Sequence, residues 1–492
     1  MAKKGINVKK DENFSEWYTQ VVQFAELADI RYDVQGFIVH LPWGFRLARK
    51  IYSMFEEEVE ADNHEPFLLP TVIPEENLNK EKEHAGFMPD VFWVTEAGTA
   101  KMERRLALRP TGETQIYPMY SLWIRSYNQL PFKRYQSRIT TFRNESHTRP
   151  FMRGREFMFF ETHDVFASHG DVMKQVKTDM GIMERVATEK LFIPFIFFKR
   201  PQWDKFKGAN DSYASDSLVP DGRRIQIGTT HDLGQNFAKA FNISFKDKEG
   251  GEKLGYQTCF GPGIWRIMAS LIAVHGDDNG LVLPFEVAPL QIVIVPITFA
   301  GKKADNLNVL KKGEEIAGML KEMGYRVYFD DRDDVSPGEK YNVWELKGVP
   351  LRLEIGPREV KEEIATCVRR NDKVKDKISV EKHVLGKEIE DQRAKLDKKI
   401  KKDAEQYFKD NTTSAKNFKD LKNIIKKHRG FVKVAFCSMD FDGEKCADKL
   451  KAETEGGEVC GTLLKEEKVK KGSKCIVCSK KANHMTYVAK SI

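Results

Sequence analysis

The stretch from Ile139 to Val165, ITTFRNESHTRPFMRGREFMFFETHDV, reads as two strands joined by a long charged loop. The first strand is expected to run to Glu145 and the second to start near Arg155. Alternate side chains of a strand share one face. Ile139, Thr141, Arg143 and Glu145 then share a face of the first strand, and Arg155, Phe157, Phe159, Glu161 and His163 a face of the second. One sheet surface would gather arginines, carboxylates, a histidine and aromatic rings. Unpaired charge on a buried face is costly, so such a face either meets solvent as cross-strand ion pairs or serves a ligand. The rest of the chain decides between the two.

The 492 residues suffice for roughly three domains. Hydrophobic content of 41% and aromatic content of 11% are those of a packed globular protein. A net charge of +8, from 81 basic and 73 acidic residues, permits an anionic partner without requiring one. The start, MAKKGINVKKDENF, lacks the apolar core of a secretory signal. No run of about eighteen apolar residues exists, and seven cysteines over this length are no disulfide framework. A reduced, cytoplasmic protein with no membrane span is expected.

Upstream of the hairpin, Phe14, Trp17, Val21, Phe24 and Ala28 are at helical spacing, and residues 45–60 read as a second helix. The run Phe67-Leu68-Leu69-Pro70 reads as a strand that its proline confines to a sheet edge or interface. A strand from Leu106 to Arg109 breaks at Pro110, and a helix is expected from about Thr111 with Glu113 in its first turn. Downstream, RRIQIGTTHDL (223–233) reads as a strand on which Gln226 and His231 fall on opposite faces unless it bulges near Gly228. Gly261 and Gly263 precede an apolar helix with Arg266 near its start. Backbone or ligand approaches closely at such glycines, and a helix N-terminus favours phosphate.

From Pro289 the texture changes: QIVIVP (291–296), a helix, YRVYFD, a helix and PLRLEIG alternate as in a compact α/β domain with a largely parallel sheet. A lysine-rich helix over 387–408 follows, with Ile389, Leu396, Ile400 and Tyr407 as a narrow apolar stripe. Near the end, Cys475-x-x-Cys478 has knuckle spacing that two earlier cysteines could complete as a tetrahedral thiolate site; free thiols are the alternative. A region so rich in lysine and poor in apolar residues needs a staple.

Taken together, these motifs resemble those of the prolyl-tRNA synthetases of archaeal and eukaryotic type, which are class II aminoacyl-tRNA synthetases, over essentially the whole chain. Phe67 to Ile73 resembles motif 1 and its dimer interface, FRNE (142–145) through REF (155–157) motif 2, and GPGIWR (261–266) motif 3. RPTGE (109–113) is similar to the proline-binding T-x-E element. The resemblance implies an α+β catalytic domain on an antiparallel sheet (1–287), an α/β anticodon-binding domain (288–395) and a small α/β zinc-binding C-terminal domain (396–492). It implies a homodimer that activates L-proline with ATP and Mg²⁺ to prolyl-adenylate and transfers the prolyl group to the 3′ end of tRNA(Pro). Bacterial-type relatives carry an editing domain between motifs 2 and 3; here ordinary catalytic elements fill that interval, so no editing in cis is expected.

By the same resemblance Arg143 meets the α-phosphate and Arg266 the γ-phosphate end, with Glu145, Arg153, Gly154, Gln226 and Thr229 also on ATP; Arg143, Arg266 and Glu145 form the catalytic set. Thr111 and Glu113 accept the imino group, and Phe87, Phe159, Glu161, His163 and His231 line the proline. Cys437, Cys446, Cys475 and Cys478 are the zinc ligands, with Cys460 left out. Arg352 and Glu354 are nominated to read tRNA bases. Two departures stand out: CFGPGIWR is one residue longer than in many relatives and lacks their hydroxyls before the arginine, and the chain ends AKSI where many end in tyrosine. Competing readings are a non-catalytic scaffold and a zinc-using class II enzyme such as the threonyl type, for which Cys259 is expected to stand alone.

Overall fold

The computed structural model describes residues 5–85, 90–299, 301–427 and 430–492. Helices α1 (Phe14–Phe24) and α2 (Pro42–Ala61) present apolar faces to one core. Trp17, Val21, Leu47, Ile51 and Phe55 pack there against Phe160 and Phe260 of the central sheet. Asn13 fixes the start of α1 by accepting from the Glu16 N–H.

The central sheet holds β1 (Phe132–Phe142), β2 (Glu156–Phe166), β3 (Ile196–Lys199), β4 (Asp211–Leu218), β5 (Arg224–Gly234) and β6 (Tyr256–Pro262). Their spatial order is β3-β4-β5-β6-β2-β1, antiparallel throughout. Helix α3 (Glu113–Trp123) covers one face, its Tyr117 and Tyr120 clustering with Cys259 and Val165. Helices α2 and α5 (Ile264–His275) cover the other, while α4 (His169–Glu184) follows β2. The interval 167–255 is filled by α4, by β3, β4 and β5 and by short elements joined to them.

The expected strand over 67–73 is not formed. Glu65–Pro66 pairs in parallel with β1 at the sheet edge, and Val72–Pro74 joins a separate three-stranded sheet with Ala100–Leu108 and Trp93–Ala97. Prolines at 66, 70 and 74 have no N–H for a continuous ladder, which accounts for the break.

The second domain has a five-stranded sheet in which Val327–Phe329, Ile292–Pro296 and Leu351–Ile355 are parallel. Ile364–Arg369 and Lys375–Ser379 return antiparallel, so the sheet is mixed rather than largely parallel. The turn between the last two strands is too short for a parallel crossover.

Helix α6 (Lys382–Asp410) runs unbroken through residue 395. Its Leu385, Ile389, Leu396 and Ile400 pack on the second domain, while the Tyr407 hydroxyl donates to Val219 O of the catalytic region at 2.8 Å. Beyond it β7 (Gly457–Leu463) pairs antiparallel with β3, and β8 (His484–Lys490), Phe431–Phe436 and Thr412–Ser414 continue the sheet. The C-terminal region thus extends the catalytic sheet to eleven strands.

Candidate active site

Sheet register assembles the site. His231 of β5 stands opposite Cys259 of β6, which stands opposite His163 of β2. Two residues along, on the same face, Thr229 faces Gly261 and Glu161 faces Gln136 of β1. The alternation expected of β2 holds. On β1 it holds only from Ile139 to Thr141, because Ile139 pairs with Phe159 but Gln136 with Glu161. Ser137 and Arg138 form the bulge; Arg138 adopts φ 55° and is held there by Glu56 at 2.6 Å. Gln136 thereby joins Glu161 on the site face. A second bulge answers the parity problem on β5: Ser215 pairs with Gly228 and Asp216 with Gln226, leaving Ile227 extra.

Under α3 lies a buried cluster of polar side chains. The Thr111 hydroxyl donates to Glu113, which is 2% exposed. Gly112 is obligatory between them, since a Cβ there would meet Glu161 Oε1 at 1.9 Å. Glu161 Oε1 accepts from Gln136 at 2.6 Å, and its Oε2 lies 2.9 Å from His163 Nε2. His163 is fully buried, with Nδ1 2.9 Å from the Tyr117 hydroxyl.

Burial pushes His163 toward its neutral form, but Cys259 and Glu161 oppose this and raise its pKa well above the usual value. Burial also drives the Cys259 thiol up to about 12, so it keeps its proton and Glu161 is the charge that matters. Burial raises Glu113 as well, against the pull of His163. Cys259 is not alone: Glu113, His163 and Cys259 hold their ligand atoms within 4.8 Å of one another. With His163 Nε2 already against Glu161, the set reads as a hydrogen-bonded floor.

His231 forms the next wall. Ser212 Oγ accepts the Phe206 N–H at 2.9 Å and is hydrogen-bonded to His231 Nδ1 at 2.8 Å. Burial, aided by the charge of His163, lowers His231 to about 3. The Phe206 ring lies 4.9 Å from the imidazole. Phe159 is half-buried on the same sheet face. Phe87 lies outside the described residues.

The second compartment is open and cationic. β1 ends at Phe142, so Arg143 and Glu145 stand in the loop beyond it, not on the strand. Arg143 is exposed, and its N–H donates to Arg155 O at 2.9 Å. Arg153 Nη1 lies 3.5 Å from Glu145, and its Nη2 donates to Ile492 O at 3.1 Å. Arg266 donates to Met152 O at 3.2 Å and to Gln226 O at 3.4 Å. Burial, then the nearby Arg153 and Arg143 charges, lower Arg266 to about 10. Gly154 turns toward Trp265, where a Cβ would sit 2.5 Å from the ring, so only its backbone is offered to a ligand.

Away from this cleft, the sulfurs of Cys437, Cys446, Cys475 and Cys478 lie within 4.8 Å of one another. Tetrahedral zinc–thiolate bonds of about 2.3 Å place sulfurs about 3.8 Å apart, so the four fit that ion. Cys460 packs elsewhere, beside Phe198 and Tyr487. In the second domain Arg352 stacks 4.1 Å from the Tyr341 ring and borders a cavity of about 170 Å³ with Arg369, Arg370, Lys373 and Lys375. Glu354 is 5% exposed and serves as counter-ion to Arg352 and Lys375, so it does not face a base. Gln136, Tyr117, Phe206 and Ser212 were not evident in the sequence. Only the register and a loop contact bring them to the site.

An antiparallel sheet whose central hairpin carries two arginines on its loop, beside a helix bearing a third, is the arrangement of a class II tRNA synthetase. Residues 92–275 match the family model for the tRNA synthetase class II core domain (G, H, P, S and T), residues 291–392 that for the anticodon binding domain, and residues 418–492 that for the prolyl-tRNA synthetase C-terminal region. The chain is 51% identical over 492 residues, all of both chains, to the proline–tRNA ligase of Thermofilum pendens. It is 40% identical to that of Thermococcus kodakarensis over 98% of each. A solved Giardia lamblia prolyl-tRNA synthetase in complex with prolyl-adenylate superposes with a TM-score of 0.93 at 34% identity, covering 99% of this chain and 100% of that one. The chain belongs to the prolyl-tRNA synthetase family and is a proline-specific, ATP-using aminoacyl-tRNA synthetase.

Proposed function

We propose that the two compartments divide the first half-reaction between them: the enclosed pocket holds proline and the cationic cleft holds ATP. The carrying observation is charge. In the pocket Glu113 stands beside Glu161 and the imidazolium of His163, and the Thr111 hydroxyl donates to it. The secondary ammonium of proline binds there, with Thr111 and Glu113 as acceptors and Phe159, His231 and Phe206 as walls. In the cleft Arg143, Arg153 and Arg266 stand with Glu145 and with Asp216, the latter already held by Arg200 and Arg224, and await a polyanion. The proline carboxylate oxygen attacks the α-phosphorus, the bond to the β-phosphate oxygen breaks, and pyrophosphate leaves. Arg143 stabilises the charge on the phosphoryl oxygens, Arg266 takes the γ end, and Gln226, Thr229 and the Gly154 backbone position the nucleotide. The ribose hydroxyl at the tRNA 3′ end then attacks the adenylate carbonyl and AMP departs.

Mg²⁺ fits a cleft poor in carboxylates, because phosphate oxygens and water supply most of its ligands. It would neutralise the triphosphate, with Glu145 the acidic side chain at hand. Zinc is assigned to Cys437, Cys446, Cys475 and Cys478, where it would staple the C-terminal strands. Chelation should lower the melting temperature of the full chain and release about one zinc per chain; no zinc in the purified protein would refute the assignment. Arg352 and the basic cavity beside it suit exposed anticodon bases, which are read by stacking and edge hydrogen bonds. Exposed Leu68, Leu122 and Trp123 beside the Glu65–Pro66 edge form the apolar patch on which a second copy docks as a homodimer. The domains are taken as 1–287, 288–395 and 396–492, with α6 as the shared strut across the last boundary. Pyrophosphate exchange with each amino acid in turn tests the assignment. Proline should support exchange best, by at least about a hundredfold over alanine, and equal exchange with another amino acid would overturn it.

A further inference from the structure

Gln226 does not reach the cleft unaided. Its Oε1 accepts from Arg200 Nη2 at 3.0 Å. An amide whose oxygen is held by a guanidinium turns its NH₂ the other way, as a donor. Arg200 is 5% exposed and is itself fixed on two further sides. Both its terminal nitrogens bind the fully buried Asp216 at 2.8 Å, and Nη1 also donates to the Cys460 carbonyl at 2.7 Å. Asp216 accepts in addition from Arg224 at 2.9 Å, and Arg224 Nη2 donates to Glu458 at 2.8 Å. With Lys451 at 2.9 Å from Glu458 and Asp204 at 3.9 Å from Arg200, three cations meet three carboxylates, and the cluster balances.

Glu458 and Cys460 belong to β7, the C-terminal strand that pairs with β3. Burial works against the Glu458 charge, yet hydrogen bonds from Lys451 and Arg224 pull its carboxyl down to about 2. A largely buried network of this kind rigidifies the groups it holds, so a change at one member is felt by the others.

We propose that the C-terminal domain is a working part of the nucleotide site. Through Cys460 O and Glu458 it holds Arg200 and Arg224, and Arg200 locks the Gln226 amide so that its NH₂ faces ATP. Arg200 and Glu458 are therefore positioning residues. The inference rests on the reading of Gln226 as a nucleotide contact. The alternative is that the cluster only fastens two domains together.

A double-mutant cycle in proline-dependent pyrophosphate exchange, on the full chain, separates the two. Gln226→Ala should raise the ATP KM about tenfold, the worth of one hydrogen bond to a charged ligand. Arg200→Lys keeps the charge beside Asp216 but cannot fork, and should raise the ATP KM by a similar factor with the proline KM within about twofold. In the Gln226→Ala background Arg200→Lys should add less than about twofold. Glu458→Gln should behave likewise at about threefold, and it carries the comparison if thermal melting finds Arg200→Lys unfolded. Factors that multiply in the double variants, or a proline KM that rises alongside, would reduce the cluster to a domain fastener. An ATP KM unchanged in Gln226→Ala would remove the nucleotide assignment and the relay with it. An ATP KM raised there but normal in Arg200→Lys and Glu458→Gln would remove the relay alone.

Discussion

Glu161 and His163 are enclosed and already paired, whereas on the loop of the same hairpin Arg143 is exposed and Arg153 lies 3.5 Å from Glu145. The first compartment is closed, and its acid and imidazole groups already hold one another. The second is preorganised in charge and short of an anion. A small rigid imino acid offers little surface, so its binding depends on a pocket whose polar groups cannot relax around a wrong ligand. A triphosphate offers charge, which a half-open cleft attracts at a distance. One hairpin serves both because its strands are enclosed where α3 covers them and solvated where the loop emerges.

The difference can be broken by substitution. Glu113→Gln keeps the shape and removes the charge, and should lower kcat/KM for proline about a thousandfold while the ATP KM moves less than about threefold. A parallel rise in both constants would mean that the compartments are not separate. Solution conditions sharpen the contrast more gently. As pH falls, Glu113, whose carboxyl burial holds above the usual range, takes up a proton and no longer pairs with the ammonium, so the proline KM should rise. The ATP KM should stay flat from about pH 6 to 8.5, because even the depressed Arg266 titrates only near 10. Raising salt from about 0.05 to 0.5 M should increase the ATP KM several-fold and the proline KM less than about twofold, since only the open cleft is screened. Steady-state exchange across these conditions checks both.

The two compartments also differed in how far the sequence revealed them. Strict alternation along β2 placed Phe159, Glu161 and His163 on one face, and the glycines before Arg266 marked a close approach, so the hairpin and motif-bearing ends were legible. Bulges were not. Nothing in Gln136-Ser137-Arg138 announces a left-handed arginine, because the restraint comes from Glu56, far away in sequence. The Ile227 bulge was inferable only as a conflict of parity between Gln226 and His231. Cys259 looked solitary because its partners lie on β2 and α3. Phe206 and Ser212 reach the pocket from a loop and a neighbouring strand, which no local periodicity encodes. The unbroken α6 hid the last domain boundary, since a helix that packs on two domains keeps one pattern throughout.

The central claim is that the Arg143 guanidinium, not the proline pocket, stabilises the reacting phosphorus. Single-turnover formation of prolyl-adenylate by Arg143→Ala, at saturating proline and ATP, tests it most directly. The account predicts a rate lower by about two to three decades with the proline KM within about threefold. A rate equal to that of the unsubstituted enzyme would contradict it.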